Sequence, residues 1–280
     1  MDLLMRVLAV PVVVQRSPEW YAKRRTRITA SEAASVLGEN PYETATDVLF
    51  KKFGLGKPFT GNIATRYGQQ HEPTAIAAYC AALGRASFEV GLIDYESVHG
   101  PCPELHFVAG SPDGITVRFA PTPCDGPVAE PCPGTARAAG FIGPCGARPA
   151  PYLTEAAVEA VLGTRDVEPV MLEVKCPFRR RIVHGQIPKQ YYAQVQLNML
   201  ICGMERADFV EFRPKPFELN IVRCYPDKQW LARSIPVMQA FYAECARYAH
   251  EGIHTHPAYA KYAPKPDTAT LATEDVMNTS

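Results

Sequence analysis

What the chain lacks narrows its function first. Lys and Arg number 29, and Asp and Glu also number 29, so the net charge is zero. No global basic field draws in a nucleic acid, and a polyanionic partner must be held by local clusters. No apolar run reaches the roughly 18 residues a spanning helix needs, so no membrane span is expected. There is no Gly-x-x-x-x-Gly-Lys loop and no Gly-x-Ser-x-Gly elbow, which leaves nucleotide hydrolysis and serine-type acyl transfer without support. The nine cysteines contain no Cys-x-x-Cys pair. Cys102, Cys124, Cys132 and Cys145 are separated by 22, 8 and 13 residues, and Cys202, Cys224 and Cys245 are equally scattered. That spacing argues against a zinc site or an iron–sulfur cluster, and an odd count reads as free thiols in a reducing compartment.

What is present describes an ordinary globular chain. Its 280 residues are 47% hydrophobic and 21% charged, enough for one large domain or two small ones with a sizeable core. The opening Met1–Arg16 has Asp2 at its head and is interrupted by Arg6 and Pro11. A secretory signal has positive charge first and an unbroken apolar run, so this segment reads as a buried strand or packing arm. The expected location is intracellular, in the cytoplasm or in the nucleus of a host cell, and not secreted.

Alternating strand and helix signals predict an α/β fold. A Ser or Thr cap before an alanine-rich turn ended by Gly38 marks a short helix within residues 17–38. Further helices are expected at 46–53, at 62–83 with Gly84 after its end and a kink near Pro73, from Pro188 to Cys202, and after Asp227. Strands are expected at Phe88–Tyr95, at Leu105–Phe119 broken by Ser111-Pro112-Asp113-Gly114, at Val170–Cys176, at Asp208–Phe212 and at Leu219–Tyr225. From Ala120 to Pro151, Pro, Gly and Ala fill 20 of 32 positions, which predicts a disordered surface insertion. A small helix is expected near Thr154–Leu162. The reading is one domain over 1–262, with 120–165 inserted and 263–280 a loose tail.

The residues suited to chemistry fall in separate blocks. In Leu172-Glu173-Val174-Lys175, alternation on a strand puts Glu173 and Lys175 on one face and their apolar neighbours on the other. A carboxylate and an ammonium side by side on a core strand are expensive unless something uses them. A charged face that is simply wet remains the bland alternative. Asp113 sits in a Pro-Asp-Gly turn, which alone is ordinary. With Glu173 and Lys175 it makes an Asp … Glu-x-Lys constellation. Two carboxylates from neighbouring strands can hold a hard divalent cation, and a lysine beside them can assist a bound water or neutralise a phosphate. Glu72 shares the apolar face of its helix with Ile76, Tyr79 and Leu83, so it is either a boundary residue or a metal ligand. Gln194 lies with Gln190, Leu197 and Ile201 on its helix and could orient a water. Basic residues cluster at Arg16, Lys23, Arg24, Arg25 and Arg27 against the single acid Glu19, and again at Arg179-Arg180-Arg181. Ser31, at a helix start, offers a hydroxyl and backbone N–H groups to a phosphate or simply caps the helix.

Five blocks in order resemble the phage lambda exonuclease and YqaJ-like viral recombinase group of the PD-(D/E)XK nuclease superfamily. They are Trp20-x-x-x-Arg24 with Ile28-Thr29-Ala30-Ser31-Glu32; Tyr67-Gly68-Gln69-Gln70-His71-Glu72; Ser111-Pro112-Asp113-Gly114; Leu172-Glu173-Val174-Lys175-Cys176-Pro177; and Tyr192-Ala193-Gln194-Val195-Gln196. The resemblance covers about residues 16–248 without the insertion. It implies a restriction-endonuclease-like core, a mixed central β-sheet flanked by helices. It also implies a Mg2+-dependent exonuclease, with Mn2+ as a substitute, that degrades linear duplex DNA from 5′ ends in recombination, repair or genome processing. Carried over, Glu72, Asp113 and Glu173 bind metal with the Val174 carbonyl, Lys175 activates or positions water, and Gln194 organises the site. Arg24 and Ser31 hold phosphate, joined by Arg27, Arg179 and Arg180. Implied partners are double-stranded DNA ends, a single-strand annealing protein and further copies of the chain. The departure is the 60-residue interval from Asp113 to Glu173, where the group has a short connection. Loop closure costs only about 0.6 kcal/mol per doubling of length, so the insertion is tolerable. Two alternatives are a structure-selective or nicking endonuclease on the same core and a non-catalytic DNA-binding recombination module. The last is disfavoured because Asp113, Glu173 and Lys175 are all present.

Overall fold

A computed structural model describes residues 2–15, 17–56, 61–119 and 167–264. The insertion at 120–165, the helix expected near 154–162, Arg16 and the tail from 265 lie outside the described residues.

The frame is a five-stranded mixed sheet in the order β2-β5-β6-β7-β8. Its members are β2 (Ala86–Phe88), β5 (Gly114–Phe119), β6 (Val167–Lys175), β7 (Ala207–Pro214) and β8 (Phe217–Cys224). Neighbours are antiparallel except β6 and β7, which run parallel. A parallel pair needs a crossover, and α7 (Lys189–Cys202) supplies it. A small sheet of β1 (Ile28–Thr29), β4 (Val108–Gly110) and β3 (Ile93–Asp94) stands beside the large one.

Helices cover both faces of the large sheet. On one, α5 (Ile63–Leu83) lays Ala75, Ile76 and Tyr79 on Leu172, Val174, Val210 and Phe212. On the other, α7 packs Ala193, Val195, Leu197 and Ile201 with Met171, Ala207 and Phe209. The same core takes in α3 (Ala30–Val36), α4 (Ala45–Lys52) and α8 (Lys228–Glu251). Three short helices, α1 (Asp2–Leu8), α2 (Pro18–Arg25) and α6 (Tyr95–His99), and the terminal α9 (Tyr259–Tyr262) complete the description. No helix among the described residues is long and apolar enough to cross a membrane. The mixed α/β class and helix-flanked sheet are as expected.

Several elements end where their sequence signals lie. Gly84 and Gly203 take the left-handed conformation after α5 and α7, and Asp227 caps α8 by accepting from the Trp230 N–H at 2.9 Å. Pro188 stands one place before the first turn of α7 rather than in it. The cap of α3 is Thr29, in a reciprocal box with Glu32, so Ser31 lies inside the first turn.

Two expectations need correcting. The N-terminal segment is a helix, not a strand: Leu4 and Val7 are buried at helical spacing, and Pro11 follows its end. The strand expected over Phe88–Tyr95 is two strands in different sheets, β2 and β3. Between them the backbone of Val12 crosses so near Gly91 that a Cβ there would sit 2.9 Å from the Val12 Cα. Leu105–Phe119 is broken at the expected place: the chain leaves the small sheet at Gly110 and joins the large one at Gly114. Proline has no N–H for a ladder, and Ser111-Pro112-Asp113 forms the passage between sheets.

Candidate active site

The passage between sheets ends by tying Asp113 to β6. Its N–H donates to the Leu172 carbonyl at 3.0 Å, and its Oδ2 accepts from the Val174 N–H at 2.7 Å. Glu173 is fully buried on the opposite face of β6 from Leu172 and Val174, as strand alternation requires. Lys175 donates to Glu173 Oε1 and lies 5.3 Å from the centre of the Tyr191 ring. Asn198, fully buried on α7, donates from Nδ2 to Glu173 Oε2 at 3.0 Å. The close packing depends on Gly110, where a Cβ would stand 2.3 Å from the Asn198 Oδ1.

Asp113 and Lys175 act electrostatically on both Glu72 and Glu173. Burial pushes Glu72 up to about 7, the charge of Asp113 pushes the same way, and Lys175 opposes both. Burial pushes Glu173 up to about 8, reinforced by Asp113 and opposed by Lys175 and Asn198. Burial also raises Asp113, against Lys175 and the Val174 N–H. Burial draws Lys175 down, but Glu173 and Asp113 outweigh it and hold its ammonium above the ordinary lysine value. At neutral pH the cluster therefore carries fewer negative charges than three free carboxylates would, beside a charged lysine. Among the described residues, no three His, Cys, Asp or Glu side chains converge closely enough to hold a metal ion as placed. Glu173 is drawn to Lys175 and Asn198, and Asp113 to the Val174 N–H.

Gln194 is half-buried on α7, one turn before Asn198. The residue that reaches the acids is Asn198, which sequence reasoning missed; its signal is the four-residue step from Gln194 along one helix face. Gln196 instead joins α7 to the start of α8, accepting from the Asp227 N–H at 2.8 Å and donating to the Tyr225 carbonyl at 3.0 Å.

The basic residues divide. Arg24 and Ser31 do come together, with Arg24 Nη2 donating to Ser31 Oγ at 3.0 Å and its guanidinium 4.5 Å from the centre of a Trp20 ring. Lys52, another residue the sequence did not single out, holds this corner by donating to Glu32 Oε2 at 2.8 Å and to the Arg24 and Arg27 carbonyls. Arg27 turns instead to Asp94, at 3.1 Å. Arg180 is taken by the buried Glu211. The buried Glu211 needs a cationic partner and engages Arg180, while Arg27 is held by the half-buried Asp94. Arg179 is exposed.

Both glutamates hold a proton more tightly in the folded chain than at the ordinary value of 4.5. The folded state thus binds more protons between 4.5 and about 8, and linkage makes stability fall as pH rises through that window. The Lys175 contribution is constant there, being fully present below 10.5. In EDTA, the melting temperature is expected to decline from about pH 5 to about pH 8, and Glu173→Gln to flatten the decline. A flat or rising wild-type profile contradicts the buried, mutually repelling acids.

Residues 19–205 match the YqaJ-like viral recombinase domain. Uncharacterized protein R354 of Acanthamoeba polyphaga mimivirus is 26% identical over 208 residues, covering 72% of this chain and 30% of that protein. Protein D345L of African swine fever virus (strain Badajoz 1971 Vero-adapted) is 41% identical over 58 residues, 21% of this chain and 17% of that protein. The chain thus spans under a third of the length of these curated relatives. The crystal structure of the alkaline exonuclease LHK-Exo from Laribacter hongkongensis superposes with a TM-score of 0.54 at 22% identity, covering 84% of this chain and 95% of that one. LHK-Exo in complex with dAMP gives 0.55 over the same shares. These structures share the fold. The match over most of its length makes this chain a member of the YqaJ-like viral recombinase domain family, built on an alkaline-exonuclease-like mixed α/β fold.

Proposed function

We propose that this domain is a divalent-metal-dependent deoxyribonuclease, an exonuclease that shortens linear duplex DNA from 5′ ends during viral recombination, repair or genome processing. The observation that carries the reading is the clustering of Glu72, Asp113 and Glu173 beside Lys175, from three distant parts of the chain, at electrostatic expense. Family membership supports it, as does the dAMP bound by the similarly folded LHK-Exo. We read 1–262 as one nuclease domain, with 120–165 inserted and 263–280 a tail.

The donor chemistry fits a hard cation such as Mg2+, with Mn2+ as a substitute. Carboxylates forced toward protonation by burial, with the charge of Asp113 adding to the effect on Glu72 and Glu173, are stabilised by a divalent charge. Glu72, Asp113 and Glu173 would hold the ion, with the Val174 carbonyl assisting. Once bound, the ion would lower the proton affinity of water and offset charge on the phosphate. Lys175, charged and fixed by Glu173, positions the attacking water and neutralises the phosphate oxygens. Asn198 holds the Glu173 carboxylate in place from behind, and Gln194 lines the same helix one turn earlier. Arg24 and Ser31 provide a guanidinium and a hydroxyl for the terminal phosphate, with Arg179 as a further cation near the acids.

Degradation of end-labelled linear duplex is expected with magnesium and absent in EDTA, and Lys175→Ala should slow it by about a hundredfold or more. Cleavage in EDTA, or an undiminished Lys175→Ala rate, contradicts the reading; digestion of closed circular DNA instead indicates an endonuclease. Asn198→Ala should raise the magnesium needed for half-maximal rate by roughly tenfold, the usual effect of losing a ligand's supporting hydrogen bond. An unchanged magnesium requirement removes Asn198 from the site.

A further inference from the structure

Outside the acids, a row of planar side chains lies along the C-terminal end of β6. Tyr67 and His71 are one turn apart on α5 with ring centres 4.3 Å apart. The Phe178 ring follows 5.3 Å from Tyr67, and the Arg179 guanidinium lies 5.2 Å from the centre of Phe178. The row is adjacent to the candidate chemistry in sequence and in space. His71 precedes Glu72, Phe178 is three residues beyond Lys175, and a Cβ on Gly68 would lie 4.0 Å from the Cys176 carbonyl.

Resting on the nuclease reading above, we propose that His71, Tyr67, Phe178 and Arg179 form a stacking platform for unpaired bases of a single DNA strand beside the acid cluster. Tyr67 packs against the core under α5, but core packing does not account for Phe178, 36% exposed, or for the exposed Arg179. The rings meet at 61° and 54°, and the row is most accessible at its Phe178 and Arg179 end. Arg66 and Arg181, close to the row in sequence, are exposed like Arg179. Aromatic faces interleaved with guanidinium groups suit a strand whose bases are splayed and whose phosphates need neutralising. In a duplex the base faces are hidden in the stack, so this row selects unpaired DNA. A strand end drawn toward the acids would present such bases.

The test is anisotropy binding of labelled oligothymidylate and of blunt duplex to the full chain in EDTA, comparing wild type with Phe178→Ala and Phe178→Leu. Phe178 is exposed, so folding should survive, and leucine preserves apolar bulk without a π-face. Both variants are expected to weaken oligothymidylate binding by about tenfold and duplex binding by less than about twofold. Unchanged oligothymidylate affinity, equal losses for both DNAs, or full rescue by leucine overturns the platform. Those results leave magnesium-dependent cleavage by the wild type intact. A wild-type chain that neither binds DNA nor cleaves it overturns the nuclease reading and the platform together.

Discussion

The site depends on one buried ion pair, Glu173 with Lys175, held between β6 and α7. A carboxylate removed from water costs several kcal/mol unless it is paired and hydrogen-bonded, and here Lys175 and Asn198 take its two oxygens. That arrangement needs β6 pinned so that its odd-numbered residues face α7. Leu172 and Val174, locked under Ala75, Ile76 and Tyr79 of α5, do the pinning. A slip of one residue would drive Glu173 into that apolar layer. The helix that covers the pair is the crossover joining parallel β6 and β7, so topology and chemistry are set by the same element.

Asp113 reaches the pair because the chain changes sheets beside it. β4 belongs to the small sheet and β5 to the large one, and the turn between them is tied to β6 at Leu172 and Val174. Gly110, at the end of β4, is where Asn198 closes against the small sheet. The segment that carries the first acid thus also seats the residue supporting the second. Glu72 comes from α5, on the other side of the sheet, and feels the charges of Asp113 and Lys175.

Much of this was legible in local signals. Glu-x-Lys on an apolar strand puts Glu173 and Lys175 on one face, and the Pro-Asp-Gly break marks the passage between the two sheets. Other features depended on long-range partners that no local pattern records. Arg27 and Arg180 read as free cations until Asp94 and Glu211 were known to face them. Asn198 lies one turn beyond Gln194, and its partner, 25 residues away on β6, reveals its role. The Phe88–Tyr95 run looked continuous because the arm that crosses Gly91 comes from residues 11–13.

The central claim is that Glu72, Asp113 and Glu173 answer to a single divalent ion. The direct measurement is a crystal structure with Mn2+, using anomalous scattering to locate the metal. The account predicts a peak bound by Asp113 and Glu173, with Glu72 facing it and Lys175 moved off the Glu173 oxygen it now occupies. Crystals at millimolar Mn2+ with no peak among these residues, and the Lys175–Glu173 pair intact, would contradict it.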